Sequence, residues 1–133
     1  MTFDLKAPGV VHVPDLDVDA IRAAAKVHGA VVYVMPDTGI TDRASFFAWF
    51  RAHVPQDPPL VSARSWDAFR DSIRSGLLDE TPRRFVIVWP NSAAMGPPDE
   101  RQNALDVLAQ IVGDLTDARA TRGRTKHVSV LVG

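Results

Sequence analysis

FVIVW, residues Phe85 to Trp89, is apolar at every position. A strand that buries one face alternates apolar with polar residues. One that is apolar throughout buries both, as central strands of a parallel sheet do when helices cover them. AVVYVM, Ala30 to Met35, and VSVLV, Val128 to Val132, are mostly apolar as well and rich in β-branched residues. A fourth, weaker candidate is Gly9 to Val13. Helical patterns separate the strong runs, and the alternation implies an α/β fold with right-handed parallel connections. The expectation is a small parallel sheet of three core strands, with Gly9–Val13 as a fourth at an N-terminal edge, packed with about four helices.

The first helix is expected from about Asp17 to His28, with Ile21, Ala24, Ala25 and His28 on one stripe and Gly29 as its stop. A second fits Thr41 or Asp42 to His53. Phe46, Phe47, Trp49, Phe50 and Val54 form its broad apolar face, and Pro55 ends it. Gln56-Asp57-Pro58-Pro59 reads as a rigid connector, and Ser65 as the N-cap of a third helix reaching about Leu78. A fourth helix follows Pro97 and Pro98, from roughly Asp99 to Ala118, with Leu105, Leu108, Ile111, Val112 and Leu115 inward.

Length and composition agree with a single globular domain over residues 1–133. The chain has 133 residues, 46% hydrophobic and 23% charged, enough to bury one sizeable core, and no apolar run approaches the ~20 residues of a spanning helix. The opening Met1-Thr2-Phe3-Asp4-Leu5-Lys6 lacks the basic, then apolar, then small-residue order of a secretory leader, so the cytoplasm is the expected location. With no cysteine there is no disulfide, thiolate metal site or thiol nucleophile. A net charge of −1 argues against a surface built for nucleic acid.

The usual motifs of chemistry are missing. Neither GxGxxG nor GxxxxGK[ST] occurs, so the common phosphate cradles have no candidate. Asp15-Leu-Asp17-Val-Asp19 opens like a calcium loop, but Ala20 and Lys26 stand where that loop needs Gly and a bidentate Glu. His12, His28, His53 and His127 show no ligand spacing, and no serine lies in a GxSxG elbow. Arg119 to Lys126 could contact phosphate but reads as a solvated turn at a helix C-terminus. No catalytic residue, metal or cofactor is expected.

The stretch from Pro59 to Ile73, PLVSARSWDAFRDSI, carries more. In a helix starting after Ser65, Trp66, Phe69, Ile73 and Leu77 fall on a buried stripe while Asp67, Arg70, Asp71 and Arg74 point outward. Asp67 with Arg70, and Asp71 with Arg74, would be i, i+3 ion pairs of about 0.2–0.5 kcal/mol each. That stabilisation alone would account for these four residues.

Pro59, Trp66-Asp67-Ala68-Phe69, Asp71, the strand ending in Trp89 with Asn91 after it, and the final VSVLV strand resemble the barstar family of ribonuclease inhibitors. The likeness covers about Ala30 to Val132, which makes residues 1–29 an N-terminal extension and 30–133 the core. It implies a small parallel-sheet binder, not an enzyme, that plugs a ribonuclease active site with the loop before the third helix and with that helix's outer face. By this resemblance Asp71 enters the site, Asp67 supports it one turn away, and Asp114 or Asp117 supplies a further acidic contact. The chain also departs from the family pattern. Val61 and Ala63 stand at the positions of an aromatic and a glycine, Ser65 replaces Asn, Arg64 replaces an acidic residue, and Arg70 stands where the best-known member has Trp. If Arg64 and Arg70 fold back onto Asp67 and Asp71, the local field is nearly neutral.

The resemblance thus points to a bacterial immunity protein against a ribonuclease or ribonuclease-like toxin, monomeric before the complex forms, with no direct nucleic-acid or membrane partner. The alternative is a diverged protein-binding module of the same fold, with Arg64 and Arg70 as its anchors.

Overall fold

The computed structural model describes Leu5 and residues 7–133; residues 1–4 and 6, on which the leader reading rests, lie outside the described residues. Strand β3, Arg84–Trp89, and strand β4, His127–Val132, are buried at every position after their first. Their two alternating faces meet two different sets of side chains. Phe85, Ile87, Trp89, Val128, Val130 and Val132 point into a large core, and Val86, Val88 and Leu131 into a smaller one. Strands β1, Gly9–His12, and β2, Val31–Val34, complete a four-stranded parallel sheet in the order β1-β4-β3-β2. The fourth candidate strand is therefore real and forms an edge. It stops one residue short of the expected Val13, whose N–H still donates to the Val132 carbonyl at 2.8 Å.

The larger core lies under α2, Arg43–His53, α3, Trp66–Asp79, and α4, Pro98–Thr116. The smaller is closed by α1, Val18–Val27, through Ile21 and Ala25. Asp17 caps α1 by accepting from the Ala20 N–H at 3.1 Å, and Gly29, with φ of +66°, takes the left-handed conformation that ends it. Asp42 and Ser45 form a reciprocal capping box at α2. Phe46, Phe47, Trp49 and Phe50 are all buried, as their spacing requires.

Three expectations need correction. Helix α4 begins at Pro98, because proline at the first position loses no helical hydrogen bond, and ends at Thr116. There Asp117 turns the chain by accepting from the Arg119 and Ala120 N–H groups at 2.7 and 3.3 Å. The 119–126 stretch is not a wholly solvated turn, since Thr121 and Lys126 are buried. Lys126 Nζ donates to the carbonyls of Glu80 and Pro82, which draws the α4–β4 connection onto the end of α3. Trp66, placed on the buried stripe, is half-buried: its ring packs against Phe46, Phe47 and Phe69, and the Arg43 guanidinium lies 5.5 Å above it. Among the described residues no helix is long and apolar enough to cross a membrane.

Candidate protein-binding face

The loop between α2 and α3 is held from both sides. Gln56 reaches back with its amide to the carbonyls of Phe50, at 2.8 Å, and Val54, at 3.1 Å, while its own oxygen accepts from the Leu60 N–H at 2.9 Å. On the α3 side, Ser72 Oγ donates to the Pro58 carbonyl at 2.5 Å, and the Asp57 N–H donates to the Ser72 carbonyl at 3.0 Å. Gly76 lets the loop approach still closer, because a Cβ there would stand 2.2 Å from the Pro55 oxygen. Leu60 is driven inward by this seating, whereas Val61 is turned out and 90% exposed. A shallow cleft of about 150 Å³ between residues 58–62 and Ala68 and Ser72 places Val61 beside α3.

At the end of the loop, Ser65 Oγ accepts from the Ala68 N–H at 3.1 Å and caps α3. Its hydroxyl is thus spent on the helix. The Arg64 carbonyl accepts from Arg43 Nη1 at 3.1 Å, and Arg43 is itself clamped by both Glu100 oxygens at 2.6 and 2.5 Å. Hydrogen bonding to Arg43 is the main reason that the Glu100 carboxyl titrates below its ordinary value. The start of α3 is therefore tied to α2 and α4 together. The Arg64 side chain is exposed and makes no ion pair among the described residues.

On the outer face of α3, Asp67 and Asp71 are both exposed. Asp71 pairs with Arg74 at 3.2 Å, as its spacing predicts, and keeps 64% of its side chain exposed. The other expected pair does not form. Arg70 turns away from Asp67 and grips Asp114 on α4, Nε to Oδ2 and Nη2 to Oδ1 at 2.8 Å each, with Nη1 reaching Gln110 at 3.3 Å. A two-pronged bond to a carboxylate only 18% exposed outcompetes a single contact in open water. Arg74 approaches the same carboxylate at 3.7 Å. Hydrogen bonds from Arg70, ahead of the charges of Arg70 and Arg74, hold the Asp114 carboxyl below its ordinary range.

Two acids therefore stand outward on α3, Asp71 paired with Arg74, and Arg70 is neutralised chiefly from behind by Asp114, with smaller contributions from the charges of Asp71 and Asp67. Asp114 is spent internally, and Asp117 caps its turn. Ser72, Gly76 and the Arg43–Glu100 clamp shape this face with no sequence motif to mark them, and Gln56, expected only as part of a rigid connector, fastens the loop. Ala68, Ser72 and Gly76, four residues apart, form a small-residue stripe that signals close approach. The Arg43–Glu100 clamp spans 57 residues and leaves no local signal.

The protein-family model described as Barstar (barnase inhibitor) matches residues 30–131. No curated protein and no solved structure gave a significant match.

Proposed function

This chain belongs to the barstar family, and from that premise we propose that it inhibits a ribonuclease by seating the α3 face and the 55–65 loop in the enzyme's active site. A ribonuclease cleft is built to hold a phosphodiester and so presents cations; carboxylates of fitting geometry can occupy the phosphate's place. The observation that carries this reading is the pair Asp67 and Asp71, exposed on one face of α3 while Arg70 is bound to Asp114. Val61 adds an exposed apolar side chain beside α3, across a cleft lined by Ala68 and Ser72. The role of Asp114 becomes indirect, holding Arg70 out of hydrogen-bond contact with the acids. As an inhibitor the protein acts as a binder, with no chemistry of its own.

The test titrates barnase, and any ribonuclease captured on the immobilised protein from bacterial secreted and cytosolic fractions, with wild-type protein and with Asp71→Ala. Wild type should silence one such enzyme stoichiometrically, and Asp71→Ala should weaken inhibition by ~2 kcal/mol or more, roughly thirtyfold, with unchanged circular dichroism. Undiminished potency in an Asp67→Ala, Asp71→Ala double variant would sink the carboxylate plug. A second reading, a diverged module with a different protein partner, draws on the exposed Arg64 guanidinium, which makes no ion pair among the described residues. Under it, Arg64→Ala is the damaging change and Asp71→Ala is silent.

A further inference from the structure

We propose that the cleft where β3 and β4 begin is a binding site for a phosphate-type oxyanion, free or carried as a phosphomonoester. It measures about 280 Å³ and is lined by Arg83, Arg84, Thr116, Thr125, Lys126 and His127, with no carboxylate among them. Asp79 and Glu80 line an adjoining cleft that shares Arg83, Thr125 and Lys126 with it. The site shares no lining residue with the 55–65 loop or with Asp67 and Asp71.

Cations near helix C-termini are ordinarily explained by the helix dipole. That explanation suffices for Lys126, whose ammonium is anchored by the Glu80 and Pro82 carbonyls. It does not cover the arginines. Neither Arg83 nor Arg84 has an ion pair among the described residues, and Arg84 Nη1 is shut off from water without an acceptor. A shielded guanidinium donor with nothing to bind is costly, and a shift of the Arg84 side chain that brings this donor onto an anion in the cleft would remove the cost. Burial first, and then the charges of Arg124 and Arg83, lower the Lys126 pKa against the opposing charges of Glu80 and Asp79, so Arg83 stands close enough for its charge to be felt at this ammonium. Two guanidinium forks suit a tetrahedral oxyanion, which accepts from several directions, better than a carboxylate, which is satisfied by one fork.

The experiment titrates the full chain with inorganic phosphate and, in a second arm, glycerol 2-phosphate, each against sodium chloride of equal ionic strength. Amide resonances are followed. Saturable shifts at Arg84, Thr125 and Lys126 are expected with at least one of the phosphates and not with chloride, together with a rise in melting temperature. Which arm binds tighter identifies the source. Arg83→Gln, at an exposed position, should weaken binding at least threefold, and Arg83→Gln with Arg84→Gln at least tenfold. Asp71→Ala should bind phosphate as wild type does, so this site stands or falls apart from ribonuclease inhibition. Shifts that chloride reproduces, or an Arg83→Gln variant that binds phosphate undiminished, would overturn the proposal.

Discussion

Arg70 decides what the outer face of α3 can offer. Its guanidinium could have covered Asp67, but the two-pronged bond to Asp114 takes it to α4 instead. The pair also makes stability depend on pH. In the unfolded chain Asp114 returns to an ordinary aspartate value near pH 4, whereas in the fold it stays ionised to lower pH. Its contribution is therefore fully present above about pH 4 and disappears as pH falls through the lowered folded value. Glu100, held by Arg43, acts with the same sign. Asp114→Asn should lose about 1–3 kcal/mol at pH 7 and show a smaller further loss on acidification than wild type, measured by urea unfolding at pH 7 and pH 3. Equal acid sensitivity in the two proteins would show that this carboxylate is not responsible. Helical phase alone exposed Asp67 and Asp71 to the sequence reader, because both sit opposite the Phe69, Ile73 and Leu77 stripe. It could not assign Arg70, whose two candidate partners lie 3 and 44 residues away.

At the scale of elements, the 55–65 loop owes its shape to the back of α3. Gly76 is a poor helix former, and alanine there would ordinarily gain about 1 kcal/mol. Here the added Cβ meets the Pro55 main chain, which cannot swing aside as a flexible side chain would. Gly76→Ala should therefore destabilise, by ~1–3 kcal/mol in thermal melts, and lower inhibitory potency with Asp67 and Asp71 intact. A neutral or stabilising result would mean that the loop is not seated through this contact. Most element boundaries were legible from caps and breakers such as Asp17, Gly29, Asp42, Pro55 and Ser65, since each acts within a turn of its own position. The two ends of α4 were misjudged by a residue or two. Pro98 begins a helix as readily as it precedes one, and Asp117 prefers the turn.

At the scale of the molecule, the sheet separates two cores of unequal size. The family match starts at residue 30, yet α1, with Leu5 and Val13 on either side of β1, closes the face carrying Val86, Val88 and Leu131. Ile21, fully buried beneath that face, couples the first part of the chain to the rest. Ile21→Ala should cost about 2–5 kcal/mol in chemical unfolding and leave the potency of the folded fraction unchanged, because the face proposed to bind lies over the other core. A matching loss of potency at full folding would tie α1 to inhibition directly. The sequence by itself determined the parallel strands, the helices and the outward pair of acids, because runs of β-branched residues, apolar spacing and caps act between near neighbours. Only the tertiary structure decided that Arg70 turns to Asp114, that Arg43 clamps Glu100 beneath the loop, and that a cluster of cations gathers where β3 and β4 begin. Those pairings join residues 40 or more positions apart, and until the chain closes no local force distinguishes them from competing partners.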